Sequence, residues 1–175
     1  MKVHRRIVAV GSMLLVSCGL FGHASTQSKD GVRQRIAGAW RLESRTVRKA
    51  NGETLLDPVL GKQPIGRLFY DAGGNMMLQM MRQERGQAIS APASPQDAKN
   101  PRVVLGYDAY FGTYTVNEAE GTITHRVQGS LFPEDLGKDF RRFFRLEGDT
   151  FTLSFTSKSP EGFDVTRTLV FRRSK

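Results

Sequence analysis

From Gly38 to the C-terminus the chain alternates apolar and polar residues with a period of two, broken at short intervals by glycine, proline, asparagine and aspartate. That pattern predicts short antiparallel strands joined by hairpins. In "GAWRLESRTVRK", Trp40, Leu42, Ser44 and Thr46 fall on one face, and Arg41, Glu43, Arg45 and Val47 on the other. "NG" at Asn51-Gly52 signals a tight turn before a short strand around Leu55 and Leu56,. Pro58, Gly61 and Pro64 mark a loop, and "IGRLFY" and "NMMLQMM" flank the turn "DAGG". Alternation resumes in "YFGTYTV" and "TITHRVQG", in "FRRFFRLE" and "TFTLSFTS", and in "DVTRTLVFRR". The expected fold is all-β, an antiparallel up-and-down barrel of about eight to nine strands, because closure removes exposed sheet edges. The proline-rich stretch from Gln83 to Tyr107 reads as a long excursion,.

Parity nominates a polar interior. "GTITHRVQGSLFP" places Ile123, His125, Val127 and Gly129 on one face. A turn over Asn117 to Thr122 sets Val116 opposite Ile123, Tyr114 opposite His125 and Gly112 opposite Val127, near enough for Tyr114 and His125 to share a hydrogen bond,. In "RRFFRLE", Arg141, Phe143 and Arg145 suit solvent, which turns Arg142, Phe144 and Leu146 inward. A buried guanidinium needs acceptors or a counter-ion, from a ligand or from the protein itself. Met76, Leu78 and Met80 share the inward face of "MMLQMM", suited either to varied apolar ligands or to filling gaps in a solid core,. Trp40, Phe69, Tyr70, Tyr110, Tyr114, Phe144, Phe151 and Phe155 spread aromatic rings over most strands, with Phe69 and Tyr70 necessarily pointing oppositely.

The N-terminus adds a compartment. "MKVHRR" followed by "IVAVGSMLLVSCGLFG" has the form of a cleaved secretory leader, 1–24, with small residues at "GHA",. "LVSC" alternatively resembles a lipobox that would leave Cys18 acylated at a new N-terminus, anchoring the protein to a membrane. Both predict export, to the periplasm or to a lipid anchor on the bacterial envelope, with 25–36 a flexible polar segment and 37–175 the barrel domain. Of 26 basic and 17 acidic residues, Lys2, Arg5 and Arg6 leave with the leader, so 23 against 17 reduces the net charge from +9 to +6. These charges are dispersed and accompany no nucleic-acid motif, so nucleic acid is not an expected partner. One histidine beyond the leader and a single cysteine build no usual metal cluster, so no metal or cofactor is expected, and no nucleophile elbow or phosphate loop is present,.

"GAW" carries a Gly-x-Trp signature, and "GRLFYDAGGNMMLQMMR", "YFGTYTVNEAEGTITHRVQGSLFP" and "RRFFRLEGDTFTLS" resemble the bacterial lipocalin-like domain family from about Gly38 to Arg172. The resemblance implies a calycin-type barrel with a cup for a small, largely apolar molecule. It also implies that Gly38, Trp40 and an arginine, Arg172 or Arg173, close the barrel structurally. The expected function is an exported protein binding a small hydrophobic molecule, acidic in one reading. Its lining would be Met76, Leu78, Met80, Tyr110, Tyr114, His125, Arg142 and Phe144. Two alternatives stay open: an isomerase or cyclase of a polyketide-like substrate using His125 or Tyr114 for proton transfer, and a solid barrel with a structural or partner-binding role.

Overall fold

Hydrogen bonding along successive hairpins carries the sheet round on itself. In the computed structural model, which describes residues 30–83, 105–159 and 161–175, a short helix α1 (Asp30–Ile36) precedes β1 (Gly38–Lys49), β2 (Thr54–Leu55), β3 (Pro64–Tyr70) and β4 (Asn75–Arg82). β5 (Tyr107–Asn117), β6 (Thr122–Ser130), a 3-10 turn (Pro133–Asp135), β7 (Asp139–Glu147), β8 (Thr150–Lys158) and β9 (Asp164–Arg173) follow. Each strand from β3 to β9 pairs antiparallel with the next; β1 pairs with both β3 and β9, closing eight strands into a barrel, and β2 is an extra strand on β1. The leader, Cys18 and most of the stretch between β4 and β5 lie outside the described residues.

Two β-bulges reset the alternation. Leu42 pairs with Phe171 but Ser44 with Val170, so Glu43 is an extra residue in β1. Beyond it parity inverts: Arg45 and Val47 pair with Leu169 and Arg167 on the inner face, while Ser44 and Thr46 turn outward,. The expectation that Ser44 and Thr46 continue the face of Trp40 is therefore corrected at Glu43. In β6, Val127 pairs with Gly112 but Gly129 with Phe111, so Gln128 is the extra residue and Gly129 joins the outer face. Gly112 allows this close approach, since a Cβ there would meet the Arg126 carbonyl oxygen at 1.9 Å. Gly129 lies under the Phe111 ring in the same way.

One end of the barrel is sealed. Within the segment 25–36, Asp30–Ile36 forms the short helix α1. It is fixed because Ile36 is fully buried and Val32 packs against the core. The Trp40 indole Nε1 donates to the Ile36 carbonyl at 2.7 Å, and Phe151 packs on Trp40 at 5.3 Å between centroids. Arg173 covers the Trp40 ring at 4.2 Å and donates to the carbonyls of Ala37 and Arg35. Parity explains the choice between the two arginines: Leu169 and Phe171 point inward, so Arg173 follows them, while Arg172 is exposed beside Glu43. At the other end, Asp57 accepts the amides of Val59 and Leu60, and Leu60 enters the core.

Candidate functional site

His125 is fully buried on β6, and each ring nitrogen meets a phenol. Nε2 lies 2.6 Å from the Tyr70 hydroxyl of β3, and Nδ1 lies 2.9 Å from the Tyr110 hydroxyl of β5. Burial, reinforced by the Arg142 charge, holds the imidazole pKa well below its ordinary value, so the ring is neutral at physiological pH,. Burial likewise raises both phenols. The hydrogen count then has a consequence. A neutral imidazole carries one N–H and the phenols carry one O–H each, so three hydrogens serve two links. If Nε2 is protonated, Tyr70 keeps a spare O–H; if Nδ1 is protonated, Tyr110 does. Neither hydroxyl has another acceptor among the described residues. One buried phenol O–H therefore remains free to donate.

Arg142 stands beside this trio. Its side chain is inward on β7, the residue is 8 % exposed, and Nη2 donates to the Tyr110 hydroxyl at 3.2 Å. Its guanidinium lies 4.0 Å from the Phe155 ring centroid and 5.4 Å from that of Phe140. Nε is buried without a hydrogen-bond partner, and no carboxylate of the described residues forms an ion pair with Arg142. A desolvated cation–π contact contributes about 2 kcal/mol, whereas burying an unpaired ion costs several. The aromatic faces alone do not offset the burial. The arrangement offers an acceptor two kinds of donor in one place: a guanidinium and a phenol.

The structure brings together most residues singled out from the sequence, in changed roles. Tyr114 pairs across β5 and β6 with His125, and Val116 with Ile123, as the register predicts. The Tyr114 hydroxyl nevertheless donates to the Asp71 carbonyl at 2.7 Å rather than to His125, because side chains also span to diagonal and next-strand neighbours in a twisted barrel,. Tyr70 and Tyr110 take the partnership instead. Met76, Leu78 and Met80 form a buried inward row, and the buried Tyr110 pairs with Leu78 across β4 and β5. Phe144 is half-buried and stacks at 6.2 Å on Phe151, nearer the sealed end than Arg142. Among the described residues no group of histidine, cysteine and carboxylate side chains is arranged to hold a metal ion.

A family model described as a lipocalin-like domain matches residues 37–174. The chain belongs to this lipocalin-like domain family. Its closed antiparallel barrel is that of a lipocalin-like domain. No curated protein matches the chain.

Sequence reasoning missed three charged groups inside this lipocalin-like barrel. Arg45, turned in by the Glu43 bulge, forms an ion pair with Asp57 at 2.7 Å, and their side chains are 9 % and 2 % exposed. Arg167 projects inward from β9 between Phe155 and Val47. The available signal was Val47, an apolar residue stranded on the supposedly solvated face of β1. Read as inward, Val47 requires a phase change, and Arg45 comes with it.

Proposed function

We propose that this domain binds a small hydrophobic acid inside the barrel, with the acid group on Arg142 and the spare phenol hydrogen. The observation carrying the reading is the buried Arg142 guanidinium, which among the described residues has a phenol and two aromatic rings as neighbours and no carboxylate in ion-pair contact. A carboxylate supplies both a counter-charge and an acceptor for the leftover O–H. Phe155, partly buried beside the Arg142 guanidinium, offers apolar surface for the rest of the molecule, at about 25 cal/mol per Å² buried before the costs of association. The family likeness supports the ligand-holding role, and the leader-like N-terminus supports its exercise outside the cytoplasm.

The test is titration of the protein with dodecanoate and with dodecanol, followed by calorimetry. Charged hydrogen bonds contribute about 1.5–3 kcal/mol, so the acid binds at least about tenfold more tightly than the alcohol. Arg142→Met removes that preference and leaves the alcohol's affinity nearly unchanged. Equal binding of both by the native protein, or a preference that survives Arg142→Met, overturns the proposal. The mass of the mature N-terminus tests the export reading, with cleavage after Ala24 or diacylated Cys18 as the two results that support it, and an intact Met1 opposing it.

A further inference from the structure

The cationic surplus inside the barrel is larger than Arg142. Arg167 is the cross-strand partner of Phe155 on one side and of Val47 on the other. It forms no ion pair or side-chain hydrogen bond among the described residues. The carboxylate that reaches it electrostatically is Asp57, but Asp57 already serves Arg45 at 2.7 Å and the amides of Val59 and Leu60 at 2.9 Å. Burial and the nearby Arg45 charge both weigh against the protonated form of Arg167, with Asp57 opposing them. An arginine remains charged under such a shift. Asp108 and Asp135 approach Tyr110 electrostatically, yet neither forms an ion pair with Arg142 or Arg167. Among the described residues Arg45 therefore holds Asp57, while neither Arg142 nor Arg167 has a carboxylate in ion-pair contact.

The two unpaired members flank one ring. Arg142 lies against Phe155 from β7, and Arg167 neighbours it from β9. Those strands are two spacings apart, roughly 10 Å, with Phe155 of β8 between them. A monocarboxylate on Arg142 leaves Arg167 uncompensated; two carboxylates on one short head group neutralise both. We propose that the ligand is a hydrophobic dicarboxylic acid, its two carboxylates no more than roughly 10 Å apart, held by Arg142 and Arg167 on either side of Phe155. This rests on the reading of Arg142 as the acid-binding residue.

The experiment compares dodecylsuccinate with tridecanoate by calorimetric titration of the full chain, in the native protein and in Arg167→Gln and Arg167→Lys. The native protein binds the dicarboxylate about tenfold or more tightly, the equivalent of one further charged hydrogen bond. Arg167→Gln brings the two acids within about twofold of each other without weakening tridecanoate, the size of change left when one charged contact is gone. Arg167→Lys keeps the dicarboxylate preference, showing that charge and not packing is at stake. Equal binding of the two acids by the native protein, or a preference that survives Arg167→Gln, overturns the second charge while leaving the Arg142 reading standing. Failure of both acids to bind overturns both.

Discussion

Lowering the pH from 8 to 5 should destabilise this protein through one side chain. His125 is the single histidine among the described residues, and its folded-state pKa lies well below the ordinary value of 6.5. The unfolded chain takes up a proton near pH 6.5; the folded one, with Tyr70, Tyr110 and Arg142 around the ring, does not. A folded pKa below the unfolded one gives stability that is complete above 6.5 and lost as pH falls, with a slope approaching 1.4 kcal/mol per unit. Between pH 8 and pH 5 the loss from this residue amounts to about 2 kcal/mol. Urea denaturation at pH 8, 6.5, 5.5 and 5.0 measures it, above the range where most carboxylates titrate. His125→Gln lowers stability at pH 8 but flattens the profile through this window, and any contribution from His4 and His23 is common to both proteins. A profile as steep in His125→Gln as in the native chain would refute the reasoning, as would a flat native profile.

Two further outcomes test the framework around the site. Arg173→Met strips Trp40 of its cation and frees the carbonyls of Ala37 and Arg35, which should cost about 2 kcal/mol in thermal or urea unfolding,. Because Trp40 is the only tryptophan, its emission should shift to the red as the seal loosens, and an unshifted spectrum with unchanged stability would contradict the role given to Arg173. Asp57→Asn keeps an acceptor for the Val59 and Leu60 amides but leaves Arg45 beside Arg167 without its counter-ion, at a cost of about 3 kcal/mol,. Pairing it with Arg45→Met should recover most of that loss, and a double variant no more stable than Asp57→Asn would show that the ion pair is not the cause.

The fold was legible because hairpin turns fix register locally. Glu118–Gly121 sets β5 against β6, and Tyr114 then falls opposite His125 without further information. Arg142 was legible for a related reason: Arg141 and Arg145 are both exposed, which leaves the residue between them and Phe143 to face inward. The bulges at Glu43 and Gln128 were not legible, since an extra residue has no distinctive composition and shows only as a later break of phase,. The partners of His125 were hidden more deeply. Tyr70 is remote from it in the chain, and nothing local says which of Phe69 and Tyr70 turns in. Asp57 sits in a loop that by composition belongs to solvent, and only the Arg45 pairing and the insertion of Leu60 draw it inside.

The distribution of polarity inside the barrel argues against a purely structural account. Toward the helix-covered end the interior is hydrocarbon and aromatic: Ile36, Trp40, Leu68, Phe151 and Phe171 are fully buried there and satisfy one another by packing. Beyond it stand His125, Arg142, Arg167, Arg45 and Asp57, where methionine or leucine of similar volume would pack without desolvating a charge. Replacing buried ion pairs by apolar residues is often neutral or stabilising, so folding alone gives no reason for a guanidinium whose Nε has no acceptor. The Arg45–Asp57 pair has a structural use in holding the loop that carries Leu60. Among the described residues Arg142 reaches only the Tyr110 hydroxyl and Arg167 forms no ion pair, so neither fixes a loop in that way. Their cost in stability is intelligible if an anion from outside the chain completes them.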